Sequence, residues 1–279
     1  MAFGRLHVVA TPIGNLEDIS IRAVNTLKSV ALIAAEDTRH SKKLLNRYAI
    51  ETPLTSYHEH NEAEKANELL LELQNGRDIA LITDAGTPCI SDPGYRLVRL
   101  AQEQGISVVA IPGPCAVVAA LSISGLPTDR FTFHGFSPRK ASESTHLVQA
   151  LADVPGTHVF YESPNRLKAA LETIAKYLSQ AEVCLARELT KTFEELLRGS
   201  AQDVLERLGE SDVRGECVLL ISVPARSKAE SMRSPEELRV LVEEAMREDA
   251  LSRRDAIRRV AKELGIPRND VYSAAVIEE

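Results

Sequence analysis

Short apolar runs alternate with helical patterns through the first half of this chain, and that alternation restricts the fold more than any other feature. Residues 6–10, 31–35, 78–83 and 107–111 are the apolar runs. Residues 21–29, 38–48, 62–74 and 95–104 carry apolar side chains at helical spacing between them. Leu69, Leu70 and Leu73 mark the buried face of the third helix, which Asn75-Gly76 closes. Strand and helix in alternation predict βαβ units around a parallel sheet. In open sheets of this kind, ligands bind beyond the carboxyl ends of the strands.

Attention therefore falls on the loop after residues 78–83, Asp84-Ala-Gly-Thr-Pro-Cys-Ile-Ser-Asp-Pro-Gly94. A carboxylate stands where a buried strand ends, and Gly86, Pro88, Pro93 and Gly94 shape a tight loop. Asp92-Pro93 reads as a helix start, with Asp92 as N-cap and Pro93 at the first helical position. The loop is either a ligand site, where Ala85 and Gly86 let a backbone come close, or a βα connection with a well-capped helix.

Composition narrows the class. A chain of 279 residues with 44% hydrophobic residues can build two domains, and without Trp its cores are aliphatic. Cys89, Cys115, Cys184 and Cys217 lack metal-type spacing and read as buried or loop thiols in a reducing cytosol. Met1-Ala-Phe-Gly-Arg5 shows no signal peptide, which makes the expected location cytoplasmic. Between Glu103 and Asp129 there is no charged side chain, but Pro112-Gly113-Pro114 cuts that stretch into a strand (107–111) and a helix (115–124) rather than a membrane span. A net charge of −7 argues against broad nonspecific nucleic-acid binding.

Gly125-Leu-Pro-Thr-Asp-Arg130 reads as a domain junction. Beyond it, strands at 130–136, 158–161, 183–187 and 217–223, helices at 144–151 and 166–178, and segments 193–197 and 201–208 predict a second α/β domain with a mixed sheet. A polar linker, 224–234, leads to a helix at 235–250. Two further helices, 253–264 and 271–277, flank Gly265-Ile-Pro-Arg-Asn-Asp270 in a helix-turn-helix pattern. The expected boundaries are 1–125, 126–224 and 235–279.

Four segments together resemble the tetrapyrrole methylase-like superfamily of S-adenosylmethionine (SAM) methyltransferases: Thr11-Pro-Ile-Gly-Asn-Leu16, the 84–94 loop, Ile111-Pro-Gly-Pro-Cys-Ala116 and Phe160-Tyr-Glu-Ser-Pro164. Ala34-Ala-Glu-Asp-Thr-Arg-His40 and Ala186-Arg-Glu-Leu-Thr-Lys191 narrow the resemblance to the bacterial 16S ribosomal RNA (cytidine-1402-2′-O)-methyltransferase family. It covers residues 6–223, and the helical tail suits it. The resemblance implies two α/β domains with the cofactor in the cleft between them, SAM as methyl donor, a homodimer, and 16S rRNA within the 30S subunit as partner. It implies neither metal nor membrane. The first strand is not followed by Gly-x-Gly-x-x-Gly, which agrees with a fold other than the Rossmann methyltransferases.

By the same resemblance, Pro12, Ala85, Gly86, Thr87, Ile90, Gly113, Cys115, Ala116, Tyr161, Glu162, Leu189 and Glu216 contact the cofactor. Asp84 stands with them, bracing the loop or facing the methyl-transfer region. Thr87 departs from the superfamily, which carries an acid in a Gly-Asp-Pro version of this loop. Pro112–Ala116 opens a helix whose free N–H groups attract an anion such as the methionine carboxylate.

On the substrate side, Arg39 would meet phosphate, and Asp37 a sugar hydroxyl, or act as a base. The plainer account is helix capping by Asp37 or Thr38 with a surface ion pair. His58 is substrate-side or solvent-exposed. His58-Glu59-His60 has a spacing zinc accepts, but no further ligand set stands out. Arg187, Glu188 and Lys191 either face the first motif across the cleft or form a structural ion-pair network. A ribose 2′-hydroxyl needs a base, and Asp37 and Glu188 are the candidates. Seven Lys/Arg stand against four Asp/Glu between Arg247 and Arg268. That tail, with Pro138-Arg139-Lys140, either touches RNA phosphates or is a solvated bundle packed on the core.

Two other functions stay in play: methylation of a tetrapyrrole, other small molecule or protein, and a SAM-sensing transcription regulator. Against the regulator, its recognition helix (269–277) holds no Arg or Lys to reach bases.

Overall fold

The computed structural model describes residues 2–209, 212–225, 235–249, 251–264 and 268–276. The chain forms two compact units, Met1–Val223 and Pro224–Glu279.

The larger unit holds two sheets. The first is built from β1 (Leu6–Val9), β2 (Leu32–Ala35), β3 (Leu54–Ser56), β4 (Ile79–Ile82) and β5 (Val108–Ile111), in the order β3-β2-β4-β1-β5. All its pairings are parallel. Its helices are α1 (Ile21–Ser29), α2 (Thr38–Arg47), α3 (Glu62–Gln74), α4 (Tyr95–Glu103) and α5 (Ala116–Ser124). Successive strand residues point to opposite faces. Ala80 and Ile82 therefore pack with Leu27, Leu44 and Leu45, while Ile79 and Leu81 pack with Leu69, Leu73 and Leu97.

The second sheet is mixed, as its sequence predicts. It contains β6 (Phe131–Phe136), β7 (Gly156–Glu162), β8 (Glu182–Arg187), β9 (Glu195–Gly199) and β10 (Cys217–Val223), in the order β6-β7-β10-β8-β9. Only β6 and β7 pair in parallel; the other neighbours are antiparallel. Helices α6 (Ala141–Leu151), α7 (Pro164–Tyr177) and α8 (Ala201–Leu208) accompany it. One face packs on Leu167, Leu171, Ile174 and Val204. The other face receives α5: Val117, Ala120 and Leu121 pack against Val159, Cys184, Val218 and Leu220. The first half of the chain thus supplies a layer to the second sheet, which explains why α5 carries no charge.

Among the described residues, the smaller unit holds the helices α9 (Pro235–Glu248), α10 (Arg253–Leu264) and α11 (Arg268–Val276). Val242, Ala245, Ile257, Val260 and Val271 form its core. Two α/β layers systems followed by C-terminal helices are the expected fold class. The expected linker lies outside the described residues from 226 to 234, as does the start of the expected turn, 265–267. No helix among the described residues is long and apolar enough to cross a membrane.

Several boundaries differ from the sequence expectation. β3 has no apolar run to announce it; Leu-Thr-Ser is placed as an edge strand by pairing with β2. Helix α7 begins at Pro164, the favoured first helical position, behind Ser163. Helix α11 begins three residues early and buries Val271 and Ala275 one turn apart. Most consequential is α4, which starts at Tyr95 with Gly94 as N-cap, so Asp92 does not cap it and Pro93 does not open it. Gly94 takes φ 141°, and a Cβ there would lie 2.7 Å from Cys89 Sγ and 2.9 Å from Leu81 Cδ2.

Gly94→Ala combines a backbone that L-residues avoid with a clash in the core. We expect it to lower unfolding free energy by about 2–4 kcal/mol, read from urea denaturation midpoints at unchanged m-value.

Candidate active site

The carboxyl ends of β1, β4 and β5 and the corresponding edge of the second sheet face a common cavity of about 400 Å³. Its wall on the first sheet is Ile13, Ala85, Gly86, Thr87, Ile90, Asp92, Cys115 and Ala116. On the second sheet, Phe136 ends β6, Tyr161 and Glu162 end β7, and Ser163 and Pro164 follow it. Gly215 to Val218 enter β10, whose antiparallel pairing brings Cys217 opposite Glu162.

Hydrogen bonds lace the loops of the first wall together. Thr11 and Gly86 form an antiparallel bridge, with N–H donors at 2.8 and 3.0 Å from the opposing carbonyls. The Thr11 hydroxyl donates to the Thr83 carbonyl at 3.0 Å. The Thr87 hydroxyl donates to the Pro114 carbonyl at 3.0 Å, joining the 84–94 loop to the turn before α5. A carboxylate cannot donate to that carbonyl, so a threonine here serves an end an aspartate could not. Cys89 (φ 73°) and Ser91 (φ 64°) hold left-handed conformations in the same loop, and Glu188 (φ 52°) and Thr190 (φ 64°) do so in the loop after β8. Such strain concentrates at functional sites. The two strained regions communicate through the 11–18 loop. Gly14 is so close to the Leu189–Lys191 backbone that a Cβ would lie 2.7 Å from the Leu189 carbonyl oxygen. The Asn15 N–H donates to the Thr190 hydroxyl at 3.1 Å.

Of the expected cofactor contacts, Ala85, Gly86, Thr87, Ile90, Cys115, Ala116, Tyr161, Glu162 and Glu216 stand on this wall. Pro12, Asp84, Gly113 and Leu189 do not, for separate reasons. Pro12 is buried beside the Thr11–Gly86 bridge. Asp84 turns toward β2 and accepts the Asp37 N–H at 3.0 Å, while its own N–H donates to Glu36 at 3.3 Å. Gly113 packs against Ala10. Leu189 points into the apolar layer of α5 and Ile13.

The expected catalytic pair lies off the wall as well. Asp37 is the N-cap of α2, accepting the Arg39 N–H at 2.8 Å, and pairs with the Arg39 guanidinium at 3.3 Å. Those Arg39 bonds hold its carboxyl below the usual range. Glu188 accepts from Lys191 Nζ at 2.8 Å and from the Glu216 N–H at 2.9 Å, and these bonds hold its carboxyl low too. Lys191 also pairs with Glu216 at 3.1 Å. Arg187 donates to Glu195 at 2.6 Å and to the Arg214 carbonyl at 3.1 Å, which places it in the ion-pair network rather than toward Arg39. His58 lies near Glu36, and its Nδ1 is buried without a hydrogen-bond partner. Among the described residues, no three His, Cys, Asp or Glu side chains are grouped as a metal site.

Two acids that the sequence does not mark as site residues gather at the strand ends. Burial and the neighbouring Asp84 raise the Glu36 carboxyl. Asp92 lines the cavity, and burial, then Glu36 and Asp84, push it up to about 7. A capping motif disguised it. Glu162 is buried at 4% exposure, accepts the Ser163 N–H at 2.7 Å and pairs with Arg166 at 2.9 Å.

Residues 5–205 match the family model for tetrapyrrole (corrin/porphyrin) methylases. The chain belongs to that family. It is 46% identical over 279 residues to ribosomal RNA small subunit methyltransferase I of Pseudomonas aeruginosa, covering 99% of this chain and 98% of that protein. The protein of the same name from Halalkalibacterium halodurans is 43% identical, over 97% of this chain and 94% of that protein. Among solved structures, a diphthine synthase superposes with a TM-score of 0.61 at 12% identity, covering 80% of this chain and 91% of that one. The Thermus thermophilus uroporphyrin-III C-methyl transferase complexed with S-adenyl homocysteine superposes at 0.54 with 19% identity, covering 78% and 97%. At such identities these structures speak for the methylase fold.

Within this methylase fold the Thr87–Pro114 bond can be tested directly. Thr87→Val should cost about 1 kcal/mol in denaturant unfolding, by loss of one neutral hydrogen bond. Thr87→Asp should cost more than Thr87→Val, because it turns a carboxylate toward a carbonyl oxygen.

Proposed function

We propose that this chain is a SAM-dependent methyltransferase that methylates a ribose 2′-oxygen of 16S ribosomal RNA, at cytidine 1402 by the family resemblance. One coincidence carries the reading: full-length similarity to small-subunit rRNA methyltransferases goes with a cavity walled by the motifs that bear the resemblance.

The wall suits the methyl donor. Its volume falls in the range of about 300–1,000 Å³ typical of small-molecule sites. Ile13, Ile90, Phe136 and Val218 offer apolar surface to an adenine ring, and Glu162 and Glu216 offer acceptors to hydroxyl or ammonium groups. The N-terminal ends of α5 and α7, at Ala116 and Pro164, suit a carboxylate. Ala85 to Thr87, Cys115 and Tyr161 would complete the holding set, with Pro12, Asp84, Gly113 and Leu189 behind it. Bound there, SAM supplies an electrophilic methyl group on an already activated leaving sulfur. Alignment of the acceptor hydroxyl is then the chief task of the protein. Asp37, Arg39 and His58 at the strand ends, with Glu188 and Lys191 across the cleft, form the substrate side, and Arg187 steadies it through Glu195. The chemistry needs no metal, and the 2′-hydroxyl restricts the acceptor to RNA. The basic α10 and residues 138–140 serve as further phosphate contacts. The working form in this reading is a cytoplasmic homodimer acting on the 30S subunit.

Incubation with methyl-labelled SAM and, separately, unmodified 30S particles, naked 16S RNA and DNA tests the reading. Label should enter RNA and leave an alkali-resistant dinucleotide, since 2′-O-methylation blocks strand cleavage at that ribose. Label on no RNA sinks it. Arg39, whose side chain is 90% exposed, should act through phosphate: Arg39→Ala is expected to raise KM for RNA about tenfold, with SAM affinity and stability unmoved.

A further inference from the structure

Methyl transfer to a hydroxyl releases a proton, and the carboxylates of this cleft differ sharply in their freedom to take it. Asp37 and Glu188 are committed to Arg39 and Lys191 and stand off the wall. On the wall itself, Glu162 is paired with Arg166, and Glu216, with 73% of its side chain exposed, is paired with Lys191. Asp92 has no ion pair among the described residues. It sits between the SAM-side wall and the strand ends that carry Glu36 and Asp84. The left-handed residues Cys89 and Ser91 and the φ of Gly94 carry the chain around it. Those conformations bring Asp92 to the cavity instead of the start of α4, where Asp-Pro would ordinarily sit.

We propose that the Asp92 carboxylate is the general base that accepts the proton of the acceptor hydroxyl as the methyl group is transferred. The proposal rests on the methyltransferase reading above. As the oxygen–methyl bond forms, the carbon–sulfur bond breaks and its electron pair stays on sulfur. The hydroxyl proton passes to an Asp92 oxygen, and the resulting carboxylic acid later returns it to water. The groups facing Asp92 favour this task. Glu36 after β2 and Asp84 after β4 repel its charged form, Thr83 hydrogen-bonds to it, Cys89 and Tyr161 are its other titratable neighbours, and His58 stands beyond Glu36. Burial first, then Glu36 and Asp84, against the opposing Thr83 hydrogen bond, push its titration up to about 7, where a base is most effective at neutral pH.

Single-turnover transfer from saturating SAM to unmethylated 30S particles, followed against pH, tests it. The wild-type rate should fall on the acid side of a single ionisation near neutrality. Asp92→Asn should bind S-adenosylhomocysteine like wild type, lose about 10²–10⁴-fold in rate and lose that ionisation. Glu36→Gln removes a neighbouring negative charge, so Asp92 ionises more easily and the acid limb moves to lower pH. The ¹³C carboxyl resonance of Asp92, identified by its absence in Asp92→Asn, should titrate near pH 7 in the cofactor-free protein. An Asn variant within a few-fold of wild-type rate, a rate without an acid limb, or an unmoved limb in Glu36→Gln overturns the proposal. If Asp92→Asn does not fold, the wild-type and Glu36→Gln profiles decide. If the wild type methylates no RNA, the function reading fails instead. The carboxyl resonance, then identified with Asp92→Glu, still decides the electrostatic premise, and titration in the ordinary aspartate range overturns it.

Discussion

The bridge between Thr11 and Gly86 is the constraint on which the rest of the site depends. Parallel strands β1 and β4 are neighbours, but their loops leave the sheet without ladder partners of their own. Two backbone hydrogen bonds at the bridge, the Thr11 hydroxyl on Thr83 and the Thr87 hydroxyl on Pro114 extend the order of the sheet past its edge. Each bond is worth only about 1 kcal/mol net. Their collective effect is positional, since they fix three successive strand-end loops relative to one another. A small ligand can then meet backbone atoms that need no reorganisation.

Helix α5 gives that wall its counterpart. It leaves the first sheet at Ile111, and its apolar side becomes part of the core of the second sheet. Burial of Val117, Ala120 and Leu121 there fixes the distance between the sheets by close packing rather than by a tether. The 11–18 loop reaches the 188–191 loop on the same side, with Gly14 at backbone contact. A cleft closed by packing on one side and by backbone approach on another keeps its width, which methyl transfer in line requires.

The repeating βα pattern was legible because it is local: apolar runs, helical spacing and glycine stops reveal their elements without knowledge of neighbours. Ala85, Gly86, Thr87 and Ile90, with Cys115, Ala116, Tyr161 and Glu162, line the cavity because they stand at or just past strand ends. What escaped was set by distant partners. β3 exists through its pairing with β2. Gly215, Cys217 and Val218 join the expected Glu216 on the cavity only because β10 inserts between β7 and β8. Asp92 departs from its expected place for a different reason. Asp-Pro before an amphipathic segment is a sound local signal for a helix start, but the left-handed turn at Cys89 and Ser91 delays the helix to Tyr95 and frees the carboxylate. For Asp37 and Glu188 the sequence leaves two accounts open, and the cation and backbone N–H that each carboxylate satisfies agree with the plainer one, a capped helix and an ion-pair network.

Charge in this cleft is zoned, and the zoning reconciles an acidic protein with a polyanionic substrate. Glu36, Asp84 and Asp92 gather at the strand ends, in the interior of the site, and burial there keeps their mutual repulsion strong. Arg39 is 90% exposed, where solvent screens it, and Lys191 is half-buried between Glu188 and Glu216; both stand off the cavity wall. A uniform basic cleft would bind RNA more tightly, but it would hold every carboxylate ionised and weakly basic, as Arg39 and Lys191 do to Asp37 and Glu188. It would also repel a cationic methyl donor. Negative charge at the centre attracts that donor and preserves a base. In the proposed reading, positive charge at the rim orients the strand that carries the acceptor. The two demands are met in one cleft because the sheet edge places its acids at different depths.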